Sequence, residues 1–131
     1  ISWVPGFDMD LPVHNVNVNV QEIGTYILHG SSIEDNGSSD VDNDSKNCHS
    51  NNKLAVDISD TFLHENLKVD VMTIWGIERS DLIIIPKVTY TVKTGMDLIA
   101  SGMYIWCDNE DSEFYAWRHN SFAQFGVKYV F

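Results

Sequence analysis

Apolar and polar residues alternate with period two along much of the chain. Val16, Val18 and Val20 alternate with Asn17 and Asn19, Val69 and Val71 with Lys68 and Asp70, and Val88, Tyr90 and Val92 with Thr89, Thr91 and Lys93. Side chains two apart on a strand share a face, so each run predicts a strand with one apolar and one solvated side. Shorter strands are predicted at 25–29, 53–58, 82–85, 102–107, 113–117 and 126–131. No segment has the periodicity of a long helix. The turn-rich spacing of these runs predicts an all-β fold, a two-sheet antiparallel β-sandwich or a barrel, with residues 1–131 as a single domain.

One stretch differs in kind. Residues 31–52 are crowded with Ser, Asn, Asp and Gly and nearly lack apolar side chains, which predicts a long acidic surface loop between two strands. Within it Asp40, Asp42 and Asp44 imitate the start of a calcium loop, but Ser45 replaces the glycine of the sharp turn and Asn51 the closing glutamate. A solvated acidic loop with no metal is therefore expected. Asn36-Gly37-Ser38 and Asn43-Asp44-Ser45 are glycosylation sequons in the same loop. The two cysteines, Cys48 and Cys107, are either one bridge or two free thiols.

Charge narrows the partners. Eight basic against nineteen acidic residues give a net charge of −11, and no Lys or Arg precedes Lys46, so there is no basic stripe for nucleic acid. The longest apolar run, 82–86, is far short of the roughly 20 residues of a spanning helix, so no direct membrane insertion is expected. A chain that starts at Ile1 reads as a processed chain or an excised domain. Catalytic motifs are missing: there is no GxSxG elbow, phosphate-binding glycine loop or HExxH, and His14, His29, His49, His64 and His119 stand apart. A non-enzyme without cofactors is expected.

The motif that stands out is Ile74-Trp75-Gly76-Ile77-Glu78-Arg79, at the end of a predicted strand. Its tryptophan is either a core residue or an exposed ring that can stack on a sugar or anchor a protein contact. Trp75, Gly76 and Glu78 match the Trp-Gly-x-Glu-x-Arg element of galectins. Residues 54–62 look like the galectin strand that carries His-x-Asn-Pro-Arg, residues 67–71 like the strand that follows, and residues 113–119 like a late Tyr-x-His-Arg stretch. The chain thus resembles the galectin family over roughly 26–131, which implies a galectin-like jelly roll.

The resemblance also implies what has changed. Asp57, Ser59 and Thr61 fall in the slots of the family's His, Asn and Arg, and Ser80 takes the final Arg slot with Arg79 displaced by one. An unpaired buried hydroxyl costs about 1 to 3 kcal/mol, so a site so altered should lose galactoside affinity. The expected function is then a non-catalytic protein–protein interaction or adhesion module, secreted or at the cell surface. Its expected partner is another secreted or membrane-anchored protein, with the EGF-like partner of galectin-like domains in apicomplexan secreted adhesins as the precedent. The alternative is a carbohydrate-binding lectin of altered specificity that uses Trp75 and Glu78.

Overall fold

The computed structural model describes residues 1–28, 49–110 and 112–130. The predicted all-β antiparallel class is what it shows, in eight strands: β1 (Ser2–Trp3), β2 (Gly6–Asp10), β3 (Asn17–Tyr26), β4 (Ser50–Phe62), β5 (Leu67–Gly76), β6 (Asp81–Lys93), β7 (Met96–Trp106) and β8 (Phe122–Tyr129). They follow one another in a single hydrogen-bonded sheet of order β1-β3-β4-β5-β6-β7-β8, with β2 continuing β1 along the outer edge of β3. Here the connections at 63–66, 77–80 and 94–95 are of hairpin length and hold each strand beside the next.

The strands are longer than their sequence signals. The patterns predicted at 82–85 and around Val88 are one strand, β6, with Pro86 inside it. Pro86 pairs with Val71 on β5, but the ladder to β7 lapses at Ile85 and Pro86, as it must where a residue has no N–H to donate. The stretch 113–117, predicted as a strand, is instead a turn leading into a single-turn 3-10 helix at Tyr115–Trp117. Ser112 causes this: its Oγ accepts from Phe114 N at 3.2 Å and its carbonyl accepts from Tyr115 N at 3.2 Å, which curls the chain before it can pair. The acidic loop also ends earlier than predicted. Asn51 and Asn52 are already in β4, opposite Thr25 and Gly24. Ser50 begins the same strand, opposite Tyr26, and residues 31–48, with Asp40, Asp42, Asp44 and both sequons, lie outside the described residues.

Backbone conformation marks the tight ends. Leu63, His64 and Glu65 all have positive φ in the four-residue turn between β4 and β5. In the two-residue turn between β6 and β7, Gly95 has φ +82°, and a β-carbon there would lie 2.5 Å from the carbonyl oxygen of Val130. Only glycine fits that turn without moving the end of β8.

Candidate functional site

Register sorts the side chains into two unlike faces. Pairs such as Val20 with Val56, Ile58 with Val71, Val69 with Val88 and Leu98 with Val127 put one parity of each strand on a common side. That side is apolar from edge to edge: Phe7 and Met9 on β2, Val18 and Val20 on β3, Val56 and Ile58 on β4, Val69 and Val71 on β5, Ile84 and Val88 on β6, Leu98 and Ala100 on β7, Phe125 and Val127 on β8. The other side is mixed: it carries Asn17, Asn19, Gln21, Lys53, Asp57, Ser59, Thr61, Lys68, Asp70, Lys87, Asp97 and Lys128, and among them Met72, Ile74, Ile83, Ile85, Ile99, Met103 and Ile105 toward β5, β6 and β7.

No described residue covers the apolar side. Phe125 is 86% exposed and Val127 66%, while Phe7, Ile58, Tyr90, Leu98 and Tyr104 are all exposed as well. Most of its aromatic residues, Phe7 and Phe125 excepted, collect near the strand ends. Trp75 and Trp106 flank Leu82 at the end that carries the connections 27–49 and 107–121, with Trp3, Tyr26 and Tyr104 also toward that end. Phe62 lies opposite Leu67 and Leu67 opposite Tyr90 at the other end, where Met96 faces Tyr129. There the register shift near the end of β6 sets Lys93 opposite Met96, and its Nζ lies 5.9 Å from the centre of the Tyr129 ring.

The acidic residues on the apolar side are partnered. Glu22 accepts from the indole Nε1 of Trp3 at 3.2 Å, and the Trp3 ring lies flat over Gly24. Asp60 bonds to His14 Nδ1 at 2.9 Å and accepts from Thr61 N at 2.7 Å. Burial would raise the Asp60 carboxyl, but the hydrogen bonds from His14 and Thr61 outweigh it and hold the group below the usual carboxylate range.

The polar side has its own cover at one end. The connection between β7 and β8 turns onto it: Lys53 Nζ pairs with the Glu113 carboxylate and lies 5.5 Å from the centre of the Phe114 ring, and Ser112 Oγ donates to Asp81. Beneath lie Asp81, Ile83, Ile105 and Cys107, all buried. Asp81 Oδ1 rests over Gly76, 1.7 Å from where a β-carbon would stand. Cys107 is a free thiol 3.5 Å from the Asn109 carbonyl oxygen. Cys48, its candidate partner, lies outside the described residues.

The residues singled out as sugar-site slots do not converge. Asp57, Ser59 and Thr61 stand on the polar side of β4, while Trp75 stands on the apolar side of β5, opposite Leu54. The galectin-like slots assumed three neighbouring strands, but residues 67–71 and Trp75 belong to the same strand, β5. Trp75 is neither core nor part of that site. Glu78 serves the fold: it accepts from Asn52 N at 2.8 Å, from Asn52 Nδ2 and from Ser50 Oγ at 3.1 Å, tying the β5–β6 turn to β4. Burial raises its carboxyl, but these three donors prevail and hold it below its usual range. Asp57 shifts the other way, raised by burial and by Asp70, to which it is hydrogen-bonded, with Lys68 opposing.

Glu78 therefore contributes stability that is present above its unfolded pKa and lost as pH falls through its lower folded pKa. Glu78→Gln should cost about 0.5 to 1.5 kcal/mol at neutral pH and flatten the acid limb of the stability profile, read by denaturant unfolding at a series of pH values. An unchanged acid limb would show that another carboxylate governs it.

Among the described residues no three of His, Cys, Asp and Glu are grouped to hold a metal ion. Nor is any helix there long and apolar enough to cross a membrane, which leaves crossing by strands open. No family model matches the chain, and no curated protein or solved structure matches it.

Proposed function

We propose that this chain forms part of the wall of a transmembrane β-barrel of the outer-membrane type, its apolar side against lipid and its polar side toward a lumen. The division of the sheet into two faces carries this reading. A soluble sheet buries its apolar face against a second layer; here no described residue covers that face on any strand, while the opposite one carries all the Lys and most of the Asp residues of the strands before Lys93, among apolar ones. Outer-membrane strands alternate in this sense, apolar outward and polar inward.

Dimensions support it. Strands in water-soluble proteins usually have about 5 to 6 residues, whereas β4 and β6 have 13 each and β7 has 11. A crossing strand needs about 9 to 11 residues. From Met96 to Trp106 is about 34 Å along the strand, or about 26 Å across a membrane at a tilt of about 40°, close to the apolar band of such barrels. Most aromatic side chains of the apolar side lie toward its two ends, as interfacial girdles do, with Phe7 and Phe125 between them opposite Val20 and Ala100. Connection length adds to this: 27–49 and 107–121 are both at one end, with the short turn 77–80, while 11–16, 63–66 and 94–95 at the other end are all short. Long outer loops and short inner turns are the usual asymmetry.

The described strands make seven ranks with alternating direction, so the first and last run the same way. An antiparallel closure then takes an odd number of further strands. The protein-binding module and the altered lectin implied by the galectin resemblance would both need the slot residues on one surface, and their division between two faces favours neither.

Tryptophan depth tests the reading. Three of the four tryptophans, Trp3, Trp75 and Trp106, stand on the apolar side. In vesicles their fluorescence should be quenched by lipids brominated high on the acyl chain and less by lipids brominated at the chain end. A protein that folds as a water-soluble monomer without detergent, and whose emission brominated vesicles leave unchanged, would overturn the proposal.

A further inference from the structure

We infer that the connection between β7 and β8 is an inward-folded constriction that narrows the lumen; this rests on the barrel reading. A connection between membrane strands can project outward into water or lie back on either side of the sheet. This one lies on the polar side. Lys53, Gly76 and Asp81 belong to the parity that faces the lumen, and the connection reaches both charged ones, through Glu113 to Lys53 and through Ser112 to Asp81. Lys53 is on β4, three strands from β7 where the connection begins. At about 4.8 Å per strand it crosses about 14 Å of wall.

The contact is built rather than incidental. Apart from Gly24 under the Trp3 ring, the buried described residues gather beneath this connection or belong to it: Gly76, Arg79, Asp81, Ile83, Ile105, Cys107 and Ser112. Among the described residues the sheet is otherwise one layer thick, and here it gains a second. Of the apolar side chains on this face, Ile83 and Ile105 under the connection are the buried ones among the described residues. At the far side the connection returns to β8 through Ser121, whose Oγ accepts from Ile105 N at 3.1 Å. An eight-stranded barrel has room inside for side chains only, so a lumen that holds this connection belongs to a wider barrel. The pore is then narrowest where the connection crosses it, and Glu113, Phe114 and Lys53 line the narrowing.

Two measurements on the full chain in bilayers test this. Carbodiimide treatment should join Lys53 Nζ and the Glu113 carboxyl as an amide with loss of water, and digestion with mass spectrometry should recover the linked peptide pair. Ser112→Ala combined with Glu113→Gln should release the connection, raising single-channel conductance roughly twofold or more as the narrowing opens and speeding alkylation of Cys107. Faster alkylation with unchanged conductance would overturn the constriction and leave the barrel standing. Absence of the linked pair in the folded protein would overturn the docking itself. If neither the wild type nor the variant conducts while the tryptophans remain quenched by brominated lipid, the constriction is refuted; if they are not quenched, the barrel reading falls with it.

Discussion

Ile58→Arg should destabilise the protein folded in a bilayer by about 2 to 4 kcal/mol, while Ser59→Arg, one residue along, should change it by less than about 1. Ile58 lies halfway between Leu54, opposite Trp75, and Phe62, opposite Leu67, so it stands near the middle of the apolar band. A guanidinium there leaves water for hydrocarbon, with four residues of strand to either interface. Ser59 is on the polar side, between Asn17 and Asp70, where an arginine gains a carboxylate neighbour and keeps its water. The contrast discriminates because Ile58 is 46% exposed. In a water-soluble protein, a charge at so exposed a position alters stability by only about 0.5 kcal/mol either way. Denaturant unfolding in lipid vesicles measures both variants, and equal costs would show that the apolar face does not meet lipid.

Gly76→Ala should cost about 2 to 4 kcal/mol, a large penalty for one methyl group. The new β-carbon would fall 1.7 Å from Asp81 Oδ1, so the carboxylate must leave its place. Asp81 is 3% exposed, and its other oxygen accepts from Ser112, so displacement strands a buried charge and unfastens the connection between β7 and β8. Alkylation of Cys107, 5% exposed beneath that connection, should speed up in the same variant. Adding Asp81→Ala to Gly76→Ala should cost much less than the sum of the two single changes, since the clash and the contact it breaks share one partner. Additive costs would mean that the glycine is needed for some other reason.

The matching element Trp75-Gly76-x-Glu78 shows how a literal motif misleads when its neighbours are unplaced. Gly76 is required, but by the Asp81 carboxylate beside it. Glu78 is engaged, but by Asn52 and Ser50. Trp75 is exposed, but toward the side opposite Asp57, Ser59 and Thr61. Each residue type fits the sugar-binding pattern, and only the register separates them, because a strand reverses its facing at every residue.

Alternation at Val16–Val20, Val69–Val71 and Val88–Val92 was enough to determine antiparallel strands with one apolar face, since period two is local and set by the backbone. The absence of helical periodicity and of a basic stripe was equally legible. Strand length was not, because Thr73, Pro86 and Ala100 interrupt the apolar pattern while the ladders run on through or around them. Whether the apolar faces meet a second sheet or stand open was also beyond the sequence: alternation says which side avoids water, not what covers it. Only the tertiary structure decided that the strands follow one another in a single sheet whose apolar side no described residue covers, and that Ser112 and Glu113 reach back across it to Asp81 and Lys53. Those contacts join residues 31 and 60 positions apart, and no local pattern encodes a pairing that forms only once the strands between are laid side by side.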